Sequence, residues 1–92
     1  MRSRYCAFAL GDEPYLRLTW DRATRPRRIA LDPAVMWIGL EIVGSTGGGL
    51  LDDEGTVEFR ATHTELGSGP GVLHENSLFR RVGGRWLYVT AL

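Results

Sequence analysis

Residues 81–86 read RVGGRW, and two adjacent glycines between two alternating apolar patterns mark a two-residue hairpin turn of type I′. Such a turn fixes the register of both flanking strands. Counting outward, Val82 faces Arg85, Arg81 faces Trp86, Phe79 faces Tyr88 and Ser77 faces Thr90. One side of the hairpin then gathers Leu73, Glu75, Ser77, Phe79, Arg81, Trp86, Tyr88 and Thr90, and the other side His74, Asn76, Leu78, Leu87 and Val89.

Two more strands precede this hairpin. The stretch TVEFRATHT (56–64) alternates Val57, Phe59, Ala61 and His63 against Glu58, Arg60 and Thr62, and VMWIGLEIV (35–43) sets Met36, Ile38, Leu40 and Ile42 on one face. The glycine-rich runs GSTGGGLLDDEG (44–55) and LGSGPG (66–71) read as connections, and weak order is expected near Gly47–Gly49. Before the strands, Tyr5, Phe8 and Ala9 fall at helical spacing between Arg2 and Leu10, with Gly11 as the stop. Asp12 is then an N-cap, Pro14 sits in the opening turn, and a second short helix runs to Trp20. DRATRPRRIALDP (21–33) reads as a connection with one helical turn over Arg27–Leu31. Two helices followed by a four-strand antiparallel meander make an α+β plan with the helices on one sheet face, and residues 1–92 form one domain.

All eleven basic residues are arginines, balanced by eleven carboxylates. The balance is uneven along the chain. Seven arginines and three carboxylates in residues 1–28 give +4, and four arginines and eight carboxylates in residues 29–92 give −4. Zero net charge argues against a nucleic-acid partner, and the asymmetry suits pairing within the fold. The lone Cys6 excludes an intrachain disulfide and a cysteine zinc cluster, and is expected in the core of a cytoplasmic protein. No apolar run is long enough to span a bilayer, so no membrane association is expected.

RSRYCAF (2–8), YLRLTW (15–20) with the following TRP (24–26), WIGLEIV (37–43), GTVEFRA (55–61), HENSLF (74–79) and GRWLYV (84–89) together resemble the YchJ-like family of uncharacterised bacterial proteins. The resemblance runs over nearly the whole chain. It implies a nuclear transport factor 2-like cone, in which helices close over a curved sheet, beside a cysteine-rich SEC-C motif that binds zinc in many members. Those cysteines are absent from the 92 residues. The family pattern has His-Pro after the TW pair, where this chain has Asp21-Arg22, and Asp-Gly at the end of the last strand, where it has Thr90-Ala91.

The hairpin register and the implied cone together set out a pocket of Arg4, Tyr5, Trp20, Asp21, Glu75, Ser77, Phe79, Trp86, Tyr88 and Thr90. A carboxylate among aromatic rings carries the chemistry: burial of Glu75 would suit a general acid or base, whereas Arg4 beside it would make a buried ion pair joining helix to sheet. His63 and His74 lie on different strands without metal-ligand spacing, and GSTGGG lacks the lysine and the strand-to-helix setting of a phosphate loop. Neither metal nor cofactor is implied.

The first expectation is a non-catalytic module holding a small apolar molecule or peptide, with Arg4 and Glu75 orienting it. The second is an isomerase, dehydratase or hydrolase with Glu75 or Asp21 as base and Tyr88 as hydrogen-bond donor. The third is a homodimer formed through the outer sheet face.

Overall fold

The computed structural model describes residues 1–29 and 31–92. Helix α1 spans Arg2–Leu10 and stops where Gly11 turns left-handed at φ 71°, a conformation that a side chain would strain. Its inward stripe is rotated from the expected one. Arg4 and Ala7 are buried, Tyr5 and Phe8 are half-buried, and Ala9 is exposed. The stripe turns because the Arg4 guanidinium has backbone and hydroxyl acceptors beneath the helix, described below. Cys6 lies on the exposed side, contrary to the core position expected of it.

Helix α2, Glu13–Leu18, begins where the Asp12 carboxylate accepts from the Tyr15 amide at 3.2 Å. It buries Leu16 completely. Leu16, Ala7 and Ile29 form the core between the helices, with Phe8, Tyr15, Trp20 and Leu31 packed around them. Removing a side chain as enclosed as Leu16 costs about 2–5 kcal/mol. The helix ends two residues earlier than expected, at Leu18, so Trp20 is free of it. Thr19–Asp21 instead lies along the last strand, with the Tyr88 amide donating to Thr19 O at 2.8 Å and the Asp21 amide donating to Tyr88 O at 2.7 Å. The helical turn expected over Arg27–Leu31 includes Ala30, which lies outside the described residues; Arg27 and Arg28 form a bend.

The sheet is an antiparallel meander in the order β1-β2-β3-β4, comprising Val35–Gly47, Glu54–Glu65, Gly69–Val82 and Arg85–Ala91. Gly83 and Gly84 take φ of 58° and 80°, the two positive values that a type I′ turn demands, and Val82–Arg85, Arg81–Trp86 and Phe79–Tyr88 pair as the turn predicts. Beyond Tyr88 the register slips. Val89 is an extra residue in a bulge, so Thr90 pairs with Leu78 and Ser77 with Ala91.

Two more bulges shape β1. Ile38 and Val43 have no partner on β2, which puts Trp37, Leu40, Ile42 and Ser45 on the same face as His63, Ala61, Phe59 and Val57. The expected face of Met36, Ile38, Leu40 and Ile42 is therefore split. Met36 turns outward at 65% exposure and Ile38 occupies a bulge at 56%.

Both strands also run further into the glycine-rich segment than expected, reaching Gly47 and resuming at Glu54, with the Thr46 and Thr56 hydroxyls hydrogen-bonded to each other. The remaining connection, 48–53, is tied down by Arg81, whose guanidinium donates to Leu50 O at 2.8 Å and whose amide donates to Asp53 O at 2.7 Å. Among the described residues no helix is long and apolar enough to cross a membrane.

Candidate functional site

The inner sheet face, helix α1 and the extended segment after α2 enclose a half-open cavity of about 130 Å³. Helix α1 contributes Arg4, Tyr5 and Phe8, the extended segment after α2 contributes Trp20, and β1 contributes Trp37. Phe59 and Ala61 from β2, Leu73 and Glu75 from β3 and Tyr88 from β4 form the floor. Strand pairing explains the floor, since Phe59 lies opposite Glu75 and Ala61 opposite Leu73. The rings meet edge to face, with centroids 6.3 Å apart for Tyr5–Trp37 and 5.0 Å for Trp20–Tyr88.

Arg4 is only 4% exposed. Its Nη1 donates to Leu16 O at 3.1 Å, the carbonyl of a helix end, and to Thr19 Oγ1 at 2.7 Å. The guanidinium carbon lies 5.0 Å from the Trp20 ring centre and 4.7 Å from that of Tyr88. Burial pulls its pKa below the usual arginine value, and Tyr88, Tyr15 and Glu75 oppose that shift.

The expected Arg4–Glu75 ion pair is not formed. No carboxylate among the described residues comes within 4.0 Å of the guanidinium. Instead Glu75 Oε2 accepts from the fully buried Ser77 hydroxyl and, at 3.4 Å, from the Tyr88 hydroxyl. Desolvation and the neighbouring Glu75 raise the Tyr88 pKa to about 12, with Arg4 pulling the other way. Tyr88 therefore keeps its proton and serves as a donor at neutral pH.

The other expected site residues divide. Phe79 is buried edge to face with Tyr88, its centroid 5.8 Å away, and so supports the cavity from below. Trp86 lies 5.5 Å under the Arg81 guanidinium and lines a second, more open groove of about 330 Å³, which also takes in Ser3, Arg4 and Thr19. Thr90 leaves the site because the Val89 bulge puts it beside Leu78, exposed, with its hydroxyl donating to Ala91 O.

Asp21 also leaves it. Trp20 and Asp21 alternate along the β4 edge, so Trp20 points to the cavity while Asp21 meets Arg80, which neighbours Phe79 on the opposite sheet face. The Asp21 carboxylate receives the Arg80 guanidinium at 2.7 Å and the Ala23 amide at 2.8 Å, which commits it to structure and removes it as a base.

Sequence reasoning missed Phe8, Trp37, Phe59, Ala61 and Leu73 as lining residues. Phe59, Ala61 and Leu73 were recoverable from the alternation of β2 and β3. Trp37 was not, because its orientation depends on the Ile38 bulge. Among the described residues no three His, Cys, Asp or Glu side chains gather as a metal site.

Comparison with known proteins is consistent over the whole chain. The sequence profile described as "YchJ, middle NTF2-like domain" matches residues 1–91. A UPF0225 protein of Streptomyces avermitilis is 49% identical over 97% of this chain and 60% of its own length. A UPF0225 protein of Corynebacterium glutamicum is 48% identical over 98% of this chain and 70% of its own. The chain thus spans about two thirds of the length of these relatives. The solution structure of a SEC-C motif containing protein from Rhodopseudomonas palustris superposes with a TM-score of 0.84 at 34% identity, over 100% of this chain and 73% of that one. From its first helix to its last strand, this chain belongs to the YchJ-like UPF0225 family and corresponds to that family's middle NTF2-like domain.

Proposed function

We propose that the domain is a non-catalytic binding module, a small cone that holds a compact apolar molecule or the apolar side chain of a peptide between its helices and its sheet. The observation that carries this reading is the cavity of about 130 Å³, walled almost wholly by aromatic and aliphatic side chains with Arg4 and Glu75 as its charged side chains. Its size suits one ring or one branched alkyl group, since an apolar cavity of about 150 Å³ takes up benzene. Catalysis is the weaker reading, because Asp21 is held by Arg80 and Tyr88 donates to Glu75.

Titration with isoamyl alcohol or benzyl alcohol, followed by the indole resonances of Trp20 and Trp37, tests the module. Both should shift saturably, and Leu73→Trp, which fills the cavity from its floor, should abolish the shifts. Unmoved indole resonances at millimolar alcohol would remove the reading.

A separate observation favours a protein contact as well. The chain exposes 6250 Å² for a mass of 10.2 kDa, where size scaling gives about 5300 Å² for a compact monomer. The excess is of the order that one partner buries in a standard interface of about 800 Å² per side. Met36 and Ile38 lie outward on the edge strand, where a second copy of the chain would cover them. Light scattering across a concentration series should then show a dimer, and a monomer throughout would exclude this contact.

A further inference from the structure

Resting on the binding-module reading, we propose that the cavity selects a small zwitterion: an α-amino acid with a short apolar side chain, its carboxylate on Arg4 and its ammonium on Glu75. Two opposite charges line one cavity and are not joined. Arg4 uses only Nη1, toward the neutral acceptors Leu16 O and Thr19 Oγ1. A guanidinium has five N–H donors, and no described residue accepts from Nη2 or Nε. Glu75 concentrates both of its donors, Ser77 and Tyr88, on Oε2, and no described residue donates to Oε1.

Tyr88 measures the gap between them. The guanidinium lies over its ring, 4.7 Å from the centre, and the Glu75 carboxylate stands at its hydroxyl, 3.4 Å away. The guanidinium thus stands over the face of one phenol and the carboxylate at its hydroxyl, beyond the 4.0 Å of a direct ion pair and close enough to be bridged by one small molecule.

A buried charge without a counter-charge is costly, and this same domain closes an ion pair where its side chains reach, at Arg80–Asp21. The open pair matches a ligand that supplies both missing partners. An anion alone meets Glu75, a cation alone meets Arg4, and a neutral molecule satisfies neither. An α-amino acid carries both groups on one carbon, and a branched side chain matches the apolar space of about 130 Å³.

The test compares four probes that share one branched alkyl body: L-leucine, isocaproate, isoamylamine and isoamyl alcohol, titrated at neutral pH by NMR. L-leucine is expected to bind about tenfold or more tightly than each of the others, as charge-assisted hydrogen bonds at both ends require. Glu75→Gln should weaken L-leucine about tenfold and leave isocaproate equal or tighter. Arg4→Gln should weaken isocaproate and tighten isoamylamine; if it does not fold, the Glu75→Gln series still gives the sign. If all four bind alike, with a water bridging the charges, the zwitterion inference falls and the binding module stands. If none binds, the module reading itself falls and takes the inference with it.

Discussion

Among the described residues two side chains carry buried charge, Arg4 and Asp21, and they are treated oppositely. Asp21 and Arg4 are each 4% exposed. Asp21 is closed on both sides, by the Arg80 guanidinium and by the Ala23 amide that it caps. Arg4 is held at one nitrogen by neutral acceptors and otherwise faces aromatic rings and open space. The first arrangement secures a turn, and the second leaves hydrogen-bonding capacity unspent. The contrast teaches that burial of a charge does not by itself mark a site; the proposed binding reading rests on the unspent capacity of Arg4 beside a cavity.

The largest expected effect would break the closed half. Asp21→Ala removes a turn cap and the Arg80 pair together, and should cost about 2–3 kcal/mol in urea denaturation; half-exposed Arg80 recovers water, so the loss stays below that for a fully buried pair. Arg4→Met should cost about 1 kcal/mol, because the hydrogen bonds it loses are offset by release of a desolvated cation, while binding of any anionic probe disappears. A larger loss for Arg4→Met than for Asp21→Ala would erase the comparison.

Tyr88 sharpens it from the alkaline side. Its folded pKa is raised to about 12 from a usual value of about 10, so its contribution is complete below pH of about 10 and is lost as pH rises toward 12. An ultraviolet titration should show one phenol ionising near 12. Tyr88→Phe should remove that step and the late alkaline loss of stability. The smallest effect belongs to an exposed pair, Arg60–Glu41 at 3.0 Å, where Arg60→Ala should change stability by about 0.5 kcal/mol or less.

How much of this was legible in the sequence depends on how locally each feature is determined. The RVGGRW turn needs only two glycines, and it gave the correct pairs out to Phe79–Tyr88. The Asp12 cap and the Gly11 stop are equally local. The bulges at Ile38, Val43 and Val89 are not, since an unbroken apolar run such as VMWIGLEIV carries no phase that reveals where a residue will be squeezed out. Two of the three moved a site residue: the Val89 bulge took Thr90 out of the pocket and the Ile38 bulge brought Trp37 into it. The Arg4–Glu75 pair failed for a different reason. Charge asymmetry between the two parts of the chain states that partners exist, whereas only geometry assigns Asp21, from the basic part, to Arg80, from the acidic part.

The short pairing of Thr19–Asp21 with Tyr88 sets the order in which the fold can be made. Every strand of the meander pairs with its neighbour in sequence, so the sheet can zip from its hairpins with small loop-closure cost. The Tyr88 bridge instead requires the first quarter of the chain to find the last strand. Arg4, Trp20 and Tyr88 meet at that seam, so the cavity is expected to be completed last and to open first. Hydrogen exchange should show it directly, with the Asp21 and Tyr88 amides exchanging before those of Phe59 and Ala61; the reverse order would place the seam in the folding nucleus. A ligand of the proposed kind, seated there, would act as a latch between the helices and the last strand.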